Sequence, residues 1–214
     1  MGGALLRQCG ELSFAMNSEQ VVETLEFPCA VPGTDLVVEN MVCYDGPFLE
    51  NGDLQEVQEA TAIMITNCGL SGVSEGAVTV WQEGRQLVFL LTQLPPEASV
   101  LILEQNGQQY SQVAPECIAG WTVCTDSGWN PEEKLEIQQL PPGGLQIRNV
   151  GEEVLLELRL CYKPAYEDGA FLMGGRTYEA LVGNLLPGES MVIYPEHYCT
   201  GVSKIIRLLY DATT

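Results

Sequence analysis

The only histidine of the chain, His197, is the first residue to consider for catalysis. It lies in the stretch EHYC (residues 196–199), which brings an acid, an imidazole and a thiol close together in the sequence. A Ser-His-Asp or Cys-His site would have to use this imidazole. Adjacent residues of an extended chain point in opposite directions, so these side chains do not form a site by themselves. We therefore predict no catalytic residue and expect that the chain is not an enzyme.

Carboxylates and thiols are the other groups that could hold a metal. Five acids lie in the stretch 45–59, but their spacing is irregular and no D-x-D-x-D calcium loop occurs. No two of the eight cysteines have the C-x-x-C spacing of zinc and redox sites. Glycine pairs occur without a following helix, which does not favour a phosphate-binding loop. We predict no metal and no cofactor, with calcium at 45–59 as the alternative.

The charge of the chain limits its partners. Asp and Glu number 29 against 9 Lys and Arg, so the formal net charge is −20. Such a field repels phosphate backbones, and we predict no nucleic-acid partner. No run of about 18 apolar residues occurs, so we predict no membrane span. Residues 1–133 hold 19 acids and 2 bases while residues 134–214 hold 10 and 7, which indicates a domain boundary near Pro131.

The elements that would position any site are strands. Short apolar or alternating runs recur with turn residues between them, which is the pattern of an all-β protein. Only residues 17–26 have the beginning of a helical pattern, and GWNPEE (128–133) is predicted to be a linker. The first series of predicted strands covers 35–44, 60–67, 77–83, 85–94, 99–105 and 120–126. The second series covers 134–140, 144–149, 153–163, 169–175, 177–185, 190–195 and 203–211.

The two series form an internal repeat. ITNCG (65–69) matches IRNVG (147–151), and the segment 83–103 matches 174–194. Within that segment the letters place Leu94-Pro95-Pro96-Glu97 on Leu186-Pro187-Gly188-Glu189. Leu-Pro ends a strand because proline donates no ladder hydrogen bond, and the following residues turn the chain into the next strand. About ten extra residues in the second series indicate a longer hairpin around 162–175.

These phrases resemble the N-x-G and L-x-P-G-E-S signatures of immunoglobulin-like modules in bacterial surface proteins, of the fibronectin-III-like and cell-adhesion-related kind. The resemblance implies an all-β chain of two tandem immunoglobulin-like β-sandwich domains, with a lead segment at 1–34 and domains at 35–130 and 131–214. One larger sandwich or barrel with a shared core is the alternative. The resemblance also implies a non-enzymatic structural or protein-binding module of the cell envelope, extracytoplasmic and anchored by a part outside this chain.

Aromatic residues provide the candidate contact sites. Tyr162, Tyr166 and Phe171 flank the longer hairpin, and insertions on regular modules often carry binding surface. His197 and Tyr198 have no counterpart in the first series, so we add them as candidate contacts for a protein or glycan partner. A carbohydrate-binding sandwich is the alternative function, with tryptophans as a stacking platform. Trp81 and Trp121 lie in strand patterns and are expected to be core or half-buried, whereas Trp129 in the linker is expected to be exposed.

The compartment stays open at this level. An even number of cysteines, eight, is compatible with disulfides outside the cytoplasm, but a cytoplasmic protein would keep them reduced. An extracytoplasmic location is our prediction and a cytoplasmic one is the alternative.

Overall fold

The computed structural model describes residues 25–50, 53–166 and 169–212, and within them the chain is all-β. No helix of these ranges is long and apolar enough to cross a membrane. Most of the predicted helix start at 17–26 and of the lead segment 1–34 lies outside the described residues, and Leu25 and Glu26, which are described, are not helical. The strands of the N-terminal half are β1 (Cys29–Ala30), β2 (Leu36–Glu50), β3 (Asp53–Asn67), β4 (Gly72–Gln82), β5 (Arg85–Leu94), β6 (Ser99–Leu103) and β7 (Cys117–Thr125).

The C-terminal half begins after a 3₁₀ turn at Pro131–Glu133. Its strands are β8 (Leu135–Leu140), β9 (Gly144–Asn149), β10 (Leu155–Tyr166), β11 (Phe171–Met173), β12 (Tyr178–Leu185), β13 (Ser190–Ile193) and β14 (Ser203–Ala212). All thirteen runs predicted as strands are strands. The acidic stretch 45–59 is a long hairpin rather than a loop, because β2 and β3 stay paired almost to its tip.

Three sheets are built from these strands. β5, β4 and β7 form one sheet, and β13, β9 and β8 form another. The third sheet has eight strands in the order β1-β2-β3-β6-β11-β10-β12, with β14 also paired to β10. It therefore runs through both halves of the chain. The joint is the parallel pairing of β11 with β6, in which Leu172 faces Val100.

Each half has its own apolar core, set by the alternation of side chains along its strands. In β9, Leu145 and Ile147 point inward and are buried while Gln146 and Arg148 point outward. The N-terminal core lies between the sheet β1-β2-β3-β6 and the sheet β5-β4-β7. The C-terminal core lies between β8-β9-β13 and β12-β10-β14. The opposed sheets form a β-sandwich arrangement in both halves.

The N-terminal core also contains three side chains of the C-terminal half, Cys161, Leu172 and Ile206. Along β10, Cys161 alternates with Leu160 and Tyr162, which belong to the C-terminal core. This strand is consequently buried on both faces between 160 and 164. The face of the β10–β14 pair that points away from the C-terminal core thus packs against the N-terminal core.

The hydrogen bonds correct the predicted alignment of the repeat by one residue. The side-chain amide of Asn67 donates to the carbonyl oxygen of Leu94 at 3.5 Å, and that of Asn149 donates to Leu185 at 3.0 Å. Leu94 therefore corresponds to Leu185 and not to Leu186. The two separations, 27 and 36 residues, differ by nine, so the insertion is one residue shorter than predicted.

The corrected register also aligns the turns. Glu97 and Gly188 become equivalent, and both have positive φ angles, of 57° and 76°. A match of Leu-Pro to Leu-Pro gives the wrong register, because the N-terminal half has two prolines at the turn where the C-terminal half has Leu186-Pro187.

Candidate functional site

His197 lies in the turn after β13 and is exposed, with a positive φ of 61°. Its imidazole ring is in contact with the ring of Tyr178, whose centroid lies 5.4 Å away. The thiol of Cys199 points to the carbonyl oxygen of His197, at 4.0 Å, and not to its ring. Among the described residues no group of three or more His, Cys, Asp and Glu side chains could hold a metal. The turn therefore does not assemble an acid, a base and a nucleophile.

Tyr162 and Tyr198, two of the predicted contact residues, lie inside the C-terminal core with 1% and 6% exposure. Their rings meet edge to face with centroids 5.4 Å apart, and the hydroxyl of Tyr162 donates to the carbonyl oxygen of Glu196. Burial raises the pKa of Tyr162 to about 12. A partner at this surface would touch the turn around His197 but not these two rings.

Tyr166 and Phe171, the other predicted contact residues, face each other across the longer hairpin. They are a cross-strand pair whose rings stack with centroids 4.9 Å apart. Phe171 packs against a cluster in the N-terminal half that includes Phe48 and Leu101, whereas Tyr166 keeps 44% of its surface exposed. The hairpin does contact another unit, but that unit is the N-terminal half of the same chain.

Lys163 holds the end of this hairpin in place. Its side chain is 1% exposed, and its ammonium group donates to the carbonyl oxygens of Gly174, Gly175 and Arg176 at 2.8 to 2.9 Å. The backbone N–H of Thr92 in β5 then donates to the Gly175 oxygen at 2.7 Å. The lysine therefore shapes a loop that bonds directly to the N-terminal half.

An exposed apolar surface lies on the outer face of the β5-β4-β7 sheet. Trp121 pairs with Ala77, which pairs with Leu90, and Trp81 lies on the same face four residues further along β4. Trp121 is 49% exposed, Leu90 43% and Val123 50%. We name this surface the tryptophan face; its residues are Thr79, Trp81, Val88, Leu90, Ala119, Trp121 and Val123.

The tryptophan face has small residues in its central row. Thr79 and Ala119 occupy the row between the two tryptophans. Strand geometry puts the Cα atoms of Trp81 and Trp121 about 14 Å apart. The exposed Glu75 lies in the next row, opposite Val123, and the chain as a whole carries a charge of −20. Neutral or cationic ligands suit such a surface and polyanions do not.

Comparison with known proteins does not identify a family. The sequence matches no protein-family model, and it matches no curated protein.

Trp129 corrects the expectation that the linker tryptophan is exposed. Only 9% of its surface is accessible, and its indole N–H donates to the carbonyl oxygen of Thr125 at 2.6 Å. The ring lies on Gly72, where even a methyl group would clash with it. The guanidinium of Arg207 sits 4.7 Å from the ring centroid. Trp129 is buried because its ring lies between Gly72 of the N-terminal half and Arg207 of the C-terminal half, whereas Asn130, Glu132 and Glu133 of the linker are exposed.

Only part of the tryptophan face could be recognised from the sequence. In residues 77–81 of AVTVWQE both alternating sets are mainly apolar, which predicts burial on two sides. The inner set, Val78 and Val80, is in the core, but the outer set is left uncovered by the fold. Which face stays open depends on where the C-terminal half docks, and local sequence does not encode that position.

Five of the described cysteines are free thiols: Cys43, Cys68, Cys124, Cys161 and Cys199. Cys161 is fully buried, and this burial raises the pKa of its thiol to about 12. Cys43, Cys68, Cys124 and Cys199 are exposed. A protected thiol such as Cys161 is inert, because the thiolate is the reactive form.

Proposed function

We propose that this chain is a non-enzymatic protein-binding module, made of two tandem immunoglobulin-like β-sandwich domains that share one sheet. The observation that carries the proposal is the uncovered tryptophan face, with Trp121 49% exposed in the middle of β7, an edge strand of its sheet. Exposed aromatic side chains on a regular element are typical anchors of protein interfaces. The repeated hydrogen bonds of Asn67 and Asn149 support the two-domain description.

Rigidity is the second argument for a binding module. The eight-stranded sheet, the Lys163 loop and the buried Trp129 ring connect the two halves to each other. A binding surface on such a frame is ordered before its partner arrives, which lowers the entropic cost of association.

A photo-reactive cross-linker tests this function. Placed at Ala119, in the centre of the tryptophan face, it should give a discrete adduct with a protein in envelope extracts of the source cells. Placed at Leu181, which is 68% exposed on β12, it should give none. Trp121→Ala should reduce the Ala119 adduct at least tenfold. Equal adducts at both positions, or an adduct unaffected by Trp121→Ala, would contradict the proposal.

Carbohydrate binding is the second candidate function, and the placement of Trp81 and Trp121 on one face favours it. A titration with neutral oligosaccharides, followed by tryptophan fluorescence, separates the two. Trp129 is buried and contributes a constant background. A saturable change that disappears in Trp121→Ala would establish the sugar-binding candidate, whereas protein binding predicts no change.

We place the module at the bacterial cell envelope or outside the cell, on the resemblance of its repeated phrases to surface modules. The free thiols of Cys43, Cys68, Cys124, Cys161 and Cys199 favour the alternative, a cytoplasmic location, because oxidising compartments usually pair cysteines. Cell fractionation followed by counting of reactive thiols in the denatured protein decides between these locations.

A further inference from the structure

The N-terminal half closes one side of its sandwich with an extended segment, residues 25–31, which we name the closing segment. It lies between β2 and β7. Cys29 and Ala30 pair with β2, and the backbone N–H of Leu25 donates to the carbonyl oxygen of Pro115, just before β7, at 2.8 Å. The side chains of Leu25, Phe27 and Val31 face the core, and Val31 is 1% exposed. An extended apolar segment therefore covers the gap between the two sheets.

The C-terminal half has an open groove on the corresponding side. Its volume is about 700 Å³, and it lies between β8 and β14. The groove is lined by both polar and apolar side chains. The polar members are Glu132, Gln139, Ser203 and Lys204, and the apolar members include Pro131, Leu135, Ile137, Ala165, Tyr198, Val202 and Ile205.

The two sides are equivalent in the repeat. Leu36, the first residue of β2, pairs with Asn67, and Leu135, the first residue of β8, pairs with Asn149. On the opposite sheet, β7 pairs with β4 as β14 pairs with β10. The groove is thus the C-terminal counterpart of the slot that the closing segment fills.

Two features leave the groove without an occupant among the described residues. The linker contributes only Pro131 and Glu132 to the lining, because further upstream Gly128 accepts a hydrogen bond from the N–H of Leu208 at 2.8 Å and Trp129 lies against Gly72. The closing segment is already seated in the N-terminal half. In addition, β8 is an edge strand, so one side of its backbone can still pair with another strand.

We propose that this groove binds an extended segment of another protein, by addition of a strand beside β8. The occupant has apolar residues two positions apart, as Leu25 and Phe27 are in the closing segment, because successive residues of a strand face opposite sides. Glu132 and Lys204 give the rim one charge of each sign, so the occupant needs no net charge. This site is separate from the tryptophan face and belongs to the other half of the chain.

A peptide of residues 25–31 is the probe that tests this site. It carries Cys29→Ser and a fluorescent label, and its polarisation is measured against the full chain. We expect saturable binding. A control peptide that also carries Leu25→Ser and Phe27→Ser should bind at least tenfold more weakly. Failure of the first peptide to bind, or equal binding of both peptides, overturns the proposal.

Variants of the chain locate the binding. Ile137→Lys, in the groove, should weaken binding at least tenfold. Val202→Lys should do the same without disturbing the fold, because Val202 is 48% exposed on the rim. Trp121→Ala should leave peptide binding unchanged, which separates this site from the proposed function. Binding that persists in both groove variants refutes the groove as the site. Dimerisation of the peptide-free chain that Val202→Lys abolishes would make the occupant a second copy instead of another protein.

Discussion

Asn67 and Asn149 hold equivalent places in the two halves and make matching hydrogen bonds. Each side-chain amide donates to the carbonyl oxygen four residues ahead, Ser71 at 2.9 Å and Glu153 at 2.8 Å. Each side-chain oxygen accepts the N–H two residues ahead, that of Gly69 at 3.0 Å and that of Gly151 at 2.9 Å. Both asparagines are fully buried. One side chain in each half thus ties three stretches of chain at the end of the sandwich.

Replacing either asparagine by alanine should destabilise the fold. Asn67→Ala or Asn149→Ala leaves buried carbonyl and N–H groups without partners, and we expect the free energy of unfolding to fall by about 2 kcal/mol for each. The two sites share no partner, so the double variant should lose about the sum. Guanidinium unfolding measures these changes. Asn40→Ala, at an exposed position of β2, is the control and should change stability by under about 0.5 kcal/mol.

The turns that follow β5 and β12 offer a test of backbone strain. Glu97 and Gly188 share a left-handed conformation, and a methyl group at Gly188 would meet nothing within 4 Å. Gly188→Ala should therefore lower the free energy of unfolding by about 1 kcal/mol through the backbone alone. Glu97→Gly should shift stability in the opposite direction, or not at all. A gain in stability from Gly188→Ala, measured by the same unfolding method, would show that the turn is unstrained.

The strands could be predicted from the sequence because local alternation and turn residues determine them. The repeat could be seen as well, since Asn67 and Asn149 recur with a glycine two residues later. The exact register could not, because the letters around Pro95 and Pro187 match best one residue away from the hydrogen-bonded alignment. A one-residue shift exchanges the two faces of a strand, so only the buried contacts decide it.

The candidate site was less predictable than the strands. The longer hairpin was expected to present Tyr166 and Phe171 to a partner, and the structure uses much of that hairpin to join the halves. The exposure of Trp121 and the burial of Trp129 both follow from the way the halves dock. Docking depends on contacts between residues far apart in sequence, such as Thr92 with Gly175, and these leave no local pattern.

The buried ammonium of Lys163 should be essential for the joint between the halves. Lys163→Met keeps most of the volume but leaves the carbonyl oxygens of Gly174 and Arg176 without this donor. We expect the free energy of unfolding to fall by about 3 kcal/mol, because hydrogen bonds to charged groups are strong and unmade ones are costly. Calorimetry should also show the single transition separating into two as the halves uncouple. Lys204→Met, at an exposed lysine, is the matched control. If Lys204→Met lowered the free energy of unfolding as much as Lys163→Met, the buried ammonium of Lys163 would not be what holds the two halves together.

The stability of the chain should fall in alkaline solution. Burial raises the pKa of Cys161 from 9.0 to about 12 and that of Tyr162 from 10.0 to about 12. Between pH 9 and 12 the unfolded chain therefore releases protons that the folded chain retains. Because the unfolded state then binds fewer protons, the free energy of unfolding decreases as pH rises, by up to about 1.4 kcal/mol per pH unit for each group. Below pH 9 these two groups should have no effect.

Removing the buried thiol should flatten the first part of this pH dependence. Between pH 9 and pH 10 we expect Cys161 to contribute most, since Tyr162 begins to matter at higher pH and Cys43, whose pKa is also raised, is exposed. Cys161→Ala will lower stability at every pH by leaving a small cavity, but the slope between pH 9 and pH 10 should nearly disappear. Cys199→Ala, at an exposed thiol, should keep the slope of the unmodified chain. Urea midpoints at pH 8, 9, 10 and 11 measure the pH dependence of stability in both variants. An unchanged slope between pH 9 and pH 10 in Cys161→Ala would mean that this thiol ionises in the folded chain. The close packing of β10 against the N-terminal core would then be wrong.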